Sequence, residues 1–156
     1  KDASALTALG LHALQHRGQE SAGIVSFDGK NFNNQLYLGL VGDYFTKENV
    51  IKKLPGESAL GHVRYSTTGK TLFKNIQPLF ADLLGGGLAC AHNGNLTNGI
   101  ELRKKLVKEG AIFQSTSDTE VILHLISTSK GNLIDRIIYA LQSIRGAFSL
   151  LSFGVF

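Results

Sequence analysis

The 156-residue chain has no Met, no Trp, one Cys and two Pro. A single Cys excludes an internal disulfide and favours a reducing compartment. Apolar runs such as Val121–Ile126 fall far short of a bilayer span, so no membrane partner is expected. No signal peptide stands at Lys1. The missing initiator Met, and an apolar strand expected over 147–156 that stops without a polar tail, lead us to expect a domain truncated at both ends. Charge of either sign is also sparse: charged residues make up 18% and the net charge is +4. That balance permits anionic ligands, but basic and aromatic residues are not interleaved, so no nucleic-acid partner is expected.

What is present is an ordinary globular composition, 43% hydrophobic, sized for one domain over residues 1–156. Apolar residues at helical spacing predict a helix over 4–15, with Ala5, Leu6, Leu9 and Ala13 as its repeating positions. Strands are expected at 22–27 and 35–40 around an Asp28-Gly29 turn, followed by a helix over 46–54 stopped by Pro55-Gly56. A strand over 59–64 leads into a Ser-, Thr- and Gly-rich loop, 65–75. Strands at 79–84 and 88–92 should be joined by the Gly85-Gly86-Gly87 turn. Helices follow at 98–109, at 117–127 opened by a Ser117/Glu120 capping box, and at 133–144. Strands in hairpin-like runs, rather than alternating with helices, favour α+β with antiparallel sheets over a doubly wound sheet.

Several residues could carry chemistry. Asn93-Gly94 follows the strand ending at His92. Taken locally a tight turn is the plainer reading, but the same geometry can aim an Asn amide and a Gly N–H at one point, as an oxyanion hole does. Arg64 ends a strand just before Ser66, Thr67 and Thr68, and an Arg fork beside hydroxyls suits a carboxylate ligand. Asp118, in the first turn of its helix, can complement the helix dipole or accept from a ligand ammonium. Arg17, where a helix gives way to a strand, can be a surface charge. His12 and His16 share a helix face, but Ala13 stands where a zincin carries Glu, and no metal site is expected. The basic face at Arg103, Lys104, Lys105 and Lys108 reads as a solvated helix surface. Cys90 lies mid-strand as a small hydrophobe, on the same strand face as His92, and a dyad of the two is disfavoured by poor access.

Together the segments HRGQESAG (16–23), GHVRYSTTG (61–69), NIQPLFAD (75–82), AHNGNLTN (91–98) and STSDTEVI (115–122) resemble, in order, the motifs of class II glutamine amidotransferases. These are N-terminal nucleophile hydrolases, and the resemblance implies a four-layer αββα sandwich. Gln19 and the run Arg64–Gly69 look like the glutamine phosphoribosylpyrophosphate amidotransferase branch rather than the sugar-phosphate aminotransferases. The resemblance implies that Arg64, helped by Thr67, binds the glutamine α-carboxylate and Asp118 its α-ammonium. Asn93 and the Gly94 N–H would form the oxyanion hole, Arg17 would organise the nucleophile end, and residues 65–75 would close over the ligand.

The family nucleophile is an N-terminal Cys with its own α-amine as base, and the chain does not contain it, so the 156 residues alone are expected to be inactive. The implied function is glutamine hydrolysis supplying ammonia for phosphoribosylamine, the first committed step of purine synthesis. Alternatives are a class II amidotransferase with another acceptor, of the sugar-phosphate aminotransferase type, or a non-catalytic glutamine-binding or structural domain. The implied partners are glutamine, phosphoribosylpyrophosphate through a phosphoribosyltransferase domain absent from the chain, and further copies in a homo-oligomer. No cofactor is implied for this domain. Magnesium belongs with the absent domain, and some family members carry an iron–sulfur cluster, which one Cys could not hold. The expected location is the cytoplasm.

Overall fold

A computed structural model describes residues 2–65, 72–83 and 86–155. The chain divides into two units, Lys1–Pro78 and Leu79–Phe156. The architecture is α+β with one three-stranded antiparallel sheet in each unit.

In the first unit, α1 (Ala3–Ala13) buries Ser4, Ala8 and Leu11. This is not the face expected from the sequence, because Leu6 and Leu9 are exposed. Apolar residues occur all round this helix, so periodicity alone does not choose the face. Packing does: Gly61 of the sheet leaves room for Thr7 and Leu11, and a Cβ there would lie 2.6 Å from Thr7 Cγ2. Ser4 Oγ adds a buried hydrogen bond to the Leu54 carbonyl at 2.7 Å.

The sheet places β1 (Ser21–Phe27) between β2 (Phe32–Leu38) and β3 (Ser58–Arg64). β2 begins three residues earlier than expected, because the Asp28 carboxylate caps the turn by accepting from the N–H groups of Lys30 and Asn31, at 2.9 and 2.7 Å. Ala22 and Ile24 join Ala8, Leu11, Val41, Phe45, Val50 and Leu54 in the core. The helix expected over 46–54 is instead two short ones, α2 (Val41–Tyr44) and α3 (Glu48–Ile51). Phe45 and Val50 both bury, and five residues of continuous helix would turn them about 140° apart.

In the second unit, β5 (Gly86–Leu96) lies between β4 (Leu79–Leu83) and β6 (Gly146–Val155). Gly86 and Gly87, expected in a turn, are strand residues opposite Leu83 and Asp82, while Leu84 and Gly85 lie outside the described residues. Helices α4 (Gly99–Lys108), α5 (Thr119–Thr128) and α6 (Leu133–Ser143) complete the unit. Leu88, Cys90 and Leu96 alternate along β5 and pack with Leu106, Val121, Ile122, Leu125, Ile126, Ala140 and Ile144.

The expected Ser117/Glu120 capping box does not form. Asp118 occupies the N-cap position of α5, and the Glu120 carboxylate turns to the preceding loop. A reciprocal capping box does open α6, between Asn132 and Asp135.

Candidate functional site

The first unit holds Arg17 and Arg64. After α1 a 3-10 turn, Gln15–Arg17, brings the chain to Gly18. Gln15 fixes this bend from both ends of its amide: Nε2 donates to the Gly18 carbonyl, and Oε1 accepts from the Val41 N–H at 2.7 Å. Gly18 lies directly on the end of β3, where a Cβ would come within 2.6 Å of both Arg64 N and Val63 C. The Glu20 N–H donates to the Arg64 carbonyl at 3.1 Å. The backbone of Arg64 is therefore held between Ser21 of β1, opposite it in the sheet, and the bend at Gly18. Its side chain is half-buried, and Nη1 is buried with no hydrogen-bond partner among the described residues. Arg17 is exposed. Thr67, and residues 66–71 of the expected closing loop, lie outside the described residues.

The second unit holds Asn93, Gly94 and Asp118. The tight turn read from Asn93-Gly94 does not exist: β5 runs straight through, pairing Asn93 with Ser149 and Gly94 with Phe148. Tertiary pairing overrides the local turn preference here. Gly94 has φ +148°, and a Cβ would lie 2.3 Å from the Ala147 carbonyl oxygen, so only glycine fits against β6. Asn93 and Gly94 are exposed.

Asp118 is tied to the same strand. Its Oδ2 accepts from the Leu96 N–H at 3.0 Å, and its Oδ1 lies 3.4 Å from His92 Nδ1. Burial pushes the carboxyl up, but the His92 hydrogen bond, the Leu96 N–H and the nearby His92 charge outweigh it and hold Asp118 below the usual carboxylate range. The loop before Asp118 is braced by Glu120, which accepts from Gln114 N–H at 2.8 Å and from Ser115 N–H and Oγ at 2.7 Å each. Arg103 stacks over Phe113 and donates to the carbonyls of Ser115 and Ser117, at 2.9 and 3.1 Å. The result is an anionic side chain, 29% exposed, at a fixed place beside residues 92–96.

Cys90 is fully buried, and burial pushes its thiol up to about 12. It therefore stays a thiol at neutral pH and supplies no nucleophile. His92 Nδ1 faces Asp118 and Thr119 on α5. Among the described residues no group of three or more His, Cys, Asp or Glu is placed to hold a metal ion.

Residues 62–154 match the family model described as the glutamine amidotransferase domain. The amidophosphoribosyltransferase of Lacticaseibacillus casei is 48% identical over 151 residues, covering 96% of this chain and 78% of that protein. The chain belongs to the amidophosphoribosyltransferase family. It is a glutamine amidotransferase domain of that family. The Rhizobium etli amidophosphoribosyltransferase is 58% identical over 97% of this chain, which spans 31% of that protein. Glutamine phosphoribosylpyrophosphate amidotransferase from B. subtilis, solved with ADP and GMP, superposes with a TM-score of 0.90 at 42% identity, covering 98% of this chain and 33% of that one. The chain thus spans about a third of the length of these two relatives.

Sequence reasoning missed three supports of the family's motifs. Gly18 carries no sequence signal of the contact by which it seats Arg64. His92 shares a strand face with Cys90 in the sequence pattern, yet its ring reaches Asp118. Glu120, expected in a capping box, braces the loop instead. Their spacing in the sequence gives no signal of these contacts, which join residues from separate elements.

Proposed function

We propose that this chain binds glutamine and forms the receiving half of a glutaminase site whose ammonia is used to make phosphoribosylamine from phosphoribosylpyrophosphate. Arg64 binds the substrate α-carboxylate, helped by Thr67, and Asp118 accepts from the α-ammonium. Asn93 and the Gly94 N–H hold the oxyanion, and Arg17 orders the nucleophile end. A Cys thiolate, which these 156 residues do not supply, attacks the side-chain amide carbon. Ammonia leaves, a thioester remains, and water releases glutamate. Two convergent donors at the oxyanion suit this acyl transfer, since each contributes about 3 kcal/mol of barrier lowering in comparable sites.

The observation that carries this reading is the buried Nη1 of Arg64, without a partner among the described residues. A buried guanidinium nitrogen left unpaired is costly, and a ligand carboxylate satisfies it with a charge-assisted bond. On this reading the chain adopts the four-layer αββα arrangement and constitutes the glutaminase domain alone. Phosphoribosylpyrophosphate and magnesium belong to a second domain, and the whole protein acts in the cytoplasm as a homo-oligomer. No cofactor resides in this domain, and an iron–sulfur cluster, where family members have one, draws its thiolates from elsewhere.

The test is glutamate release by the intact gene product. Arg64→Ala should raise the KM for glutamine by about two orders of magnitude, as loss of a charge-assisted bidentate contact would. Arg64→Lys should recover only part of the loss, because an ammonium lacks the planar fork. An unchanged KM in Arg64→Ala would remove the carboxylate assignment.

A further inference from the structure

The side chain of His92 is 1% exposed, its ring beside Phe148, and reaches the start of α5 with one nitrogen. Nδ1 lies 3.4 Å from Asp118 Oδ1 and 3.3 Å from Thr119 Oγ1. Thr119 is fully buried, and its Oγ1 already accepts from Ser117 Oγ at 3.0 Å. An ionised carboxylate only accepts, so the proton facing Asp118 is carried by Nδ1. The other oxygen, Oδ2, accepts from Leu96 N–H. Both oxygens of Asp118 are thus held by donors from β5, four residues apart on the strand that also carries Asn93 and Gly94. A carboxylate offers about four acceptor positions, so two remain for a ligand.

We propose that His92 is a positioning residue that acts through Asp118, fixing the carboxylate plane so that the substrate ammonium is set at a constant span from the oxyanion donors on the same strand. This rests on the reading of Asp118 as the ammonium ligand. With one donor removed, the carboxylate can turn about its remaining bond to Leu96. Ammonium binding then weakens, while the chemistry of bound glutamine is little altered, so the effect falls on KM rather than kcat.

The test uses glutamate release by the intact gene product with four single variants. His92→Phe keeps ring bulk beside Phe148 but has no donor, and should raise the KM for glutamine about tenfold with kcat within about twofold. His92→Asn places an amide N–H near the position of Nδ1 and should restore KM to within about threefold of the parent. His92→Gln places its amide near Nε2 instead and should resemble His92→Phe. Should His92→Phe not fold, the Asn and Gln pair still decides: equal KM values in those two would overturn the proposal. Asp118→Asn supplies the reference. In the double variant His92→Phe/Asp118→Asn the two KM effects should be far from additive, because one residue acts through the other. A raised KM in Asp118→Asn with an unchanged KM in His92→Phe overturns the role of His92 alone. Additive effects do the same, leaving His92 a core residue. An unchanged KM in Asp118→Asn overturns the ammonium assignment itself, and the inference with it.

Discussion

Replacing Gly18 with Ala places one methyl group where the seat of Arg64 is tightest. Gly18 has an extended backbone, φ −169°, which any residue adopts, so the cost is purely steric. The added Cβ would lie 2.6 Å from Arg64 N and Val63 C, and 2.8 Å from Arg64 C. All three are backbone atoms of β3, and none can swing away as a side-chain tip would. The strand is also pinned to β1 through Val63 opposite Ala22 and Arg64 opposite Ser21. Relief requires the bend or the strand to move by several tenths of an ångström, which in packed interiors costs about 1–3 kcal/mol. At about 2 kcal/mol the melting temperature should fall by about 4–8 °C for a domain of this size. Because the atoms displaced belong to Arg64, the KM for glutamine should rise as well. Gly10→Ala is the matched control: this helical glycine has open space at its Cβ, and Ala should stabilise α1 by up to about 1 kcal/mol. Urea unfolding followed by circular dichroism reads both signs. Equal stability of Gly18→Ala and the parent would refute the close approach.

Other expectations follow from the buried and charged groups. Cys90, whose thiol burial pushes up to about 12, should resist alkylation in the native protein at about pH 8 and react once unfolded. Mass spectrometry of its peptide tests this, and rapid native labelling would contradict the burial. Glu120 is held below its ordinary range: burial pushes it up, but the hydrogen bonds from Gln114 and Ser115 and the nearby His124 charge outweigh that. Asp118 is lowered in the same sense. The unfolded chain therefore binds more protons in acid, so their stabilisation is complete above about pH 4.5 and is lost as pH falls through the lowered values. Glu120→Gln should flatten the decline of the urea midpoint below about pH 4.5, and an unchanged slope would count against the loop brace. Asn132→Ala, which opens the capping box of α6, should cost about 1 kcal/mol in the same urea assay. A loss below about 0.3 kcal/mol would mean that the cap contributes little.

Much of the fold was legible because its signals are local. The strand at 22–27, the helix at 98–109 and the hairpin-like strand order all survive in the structure. The misses arise where a distant contact outvotes a local preference. Asn93-Gly94 has turn chemistry, yet pairing with Ser149 and Phe148 keeps it extended. Leu6 and Leu9 look like a core face, yet the approach of Gly61 turns the face of Ser4, Ala8 and Leu11 inward. Ser117 and Glu120 have capping-box spacing, yet the carboxylate finds more donors in the 114–115 loop.

The order of motifs from His16 to Ile122 by itself determined the family, since residue types at fixed places along a chain survive without reference to their neighbours in space. The tertiary structure alone decided how individual site residues are held. Gly18 seats Arg64, and His92 with Leu96 fixes both oxygens of Asp118. These contacts depend on strand register and helix docking, which are settled by the summed burial of whole faces and leave no mark on the spacing of the residues concerned.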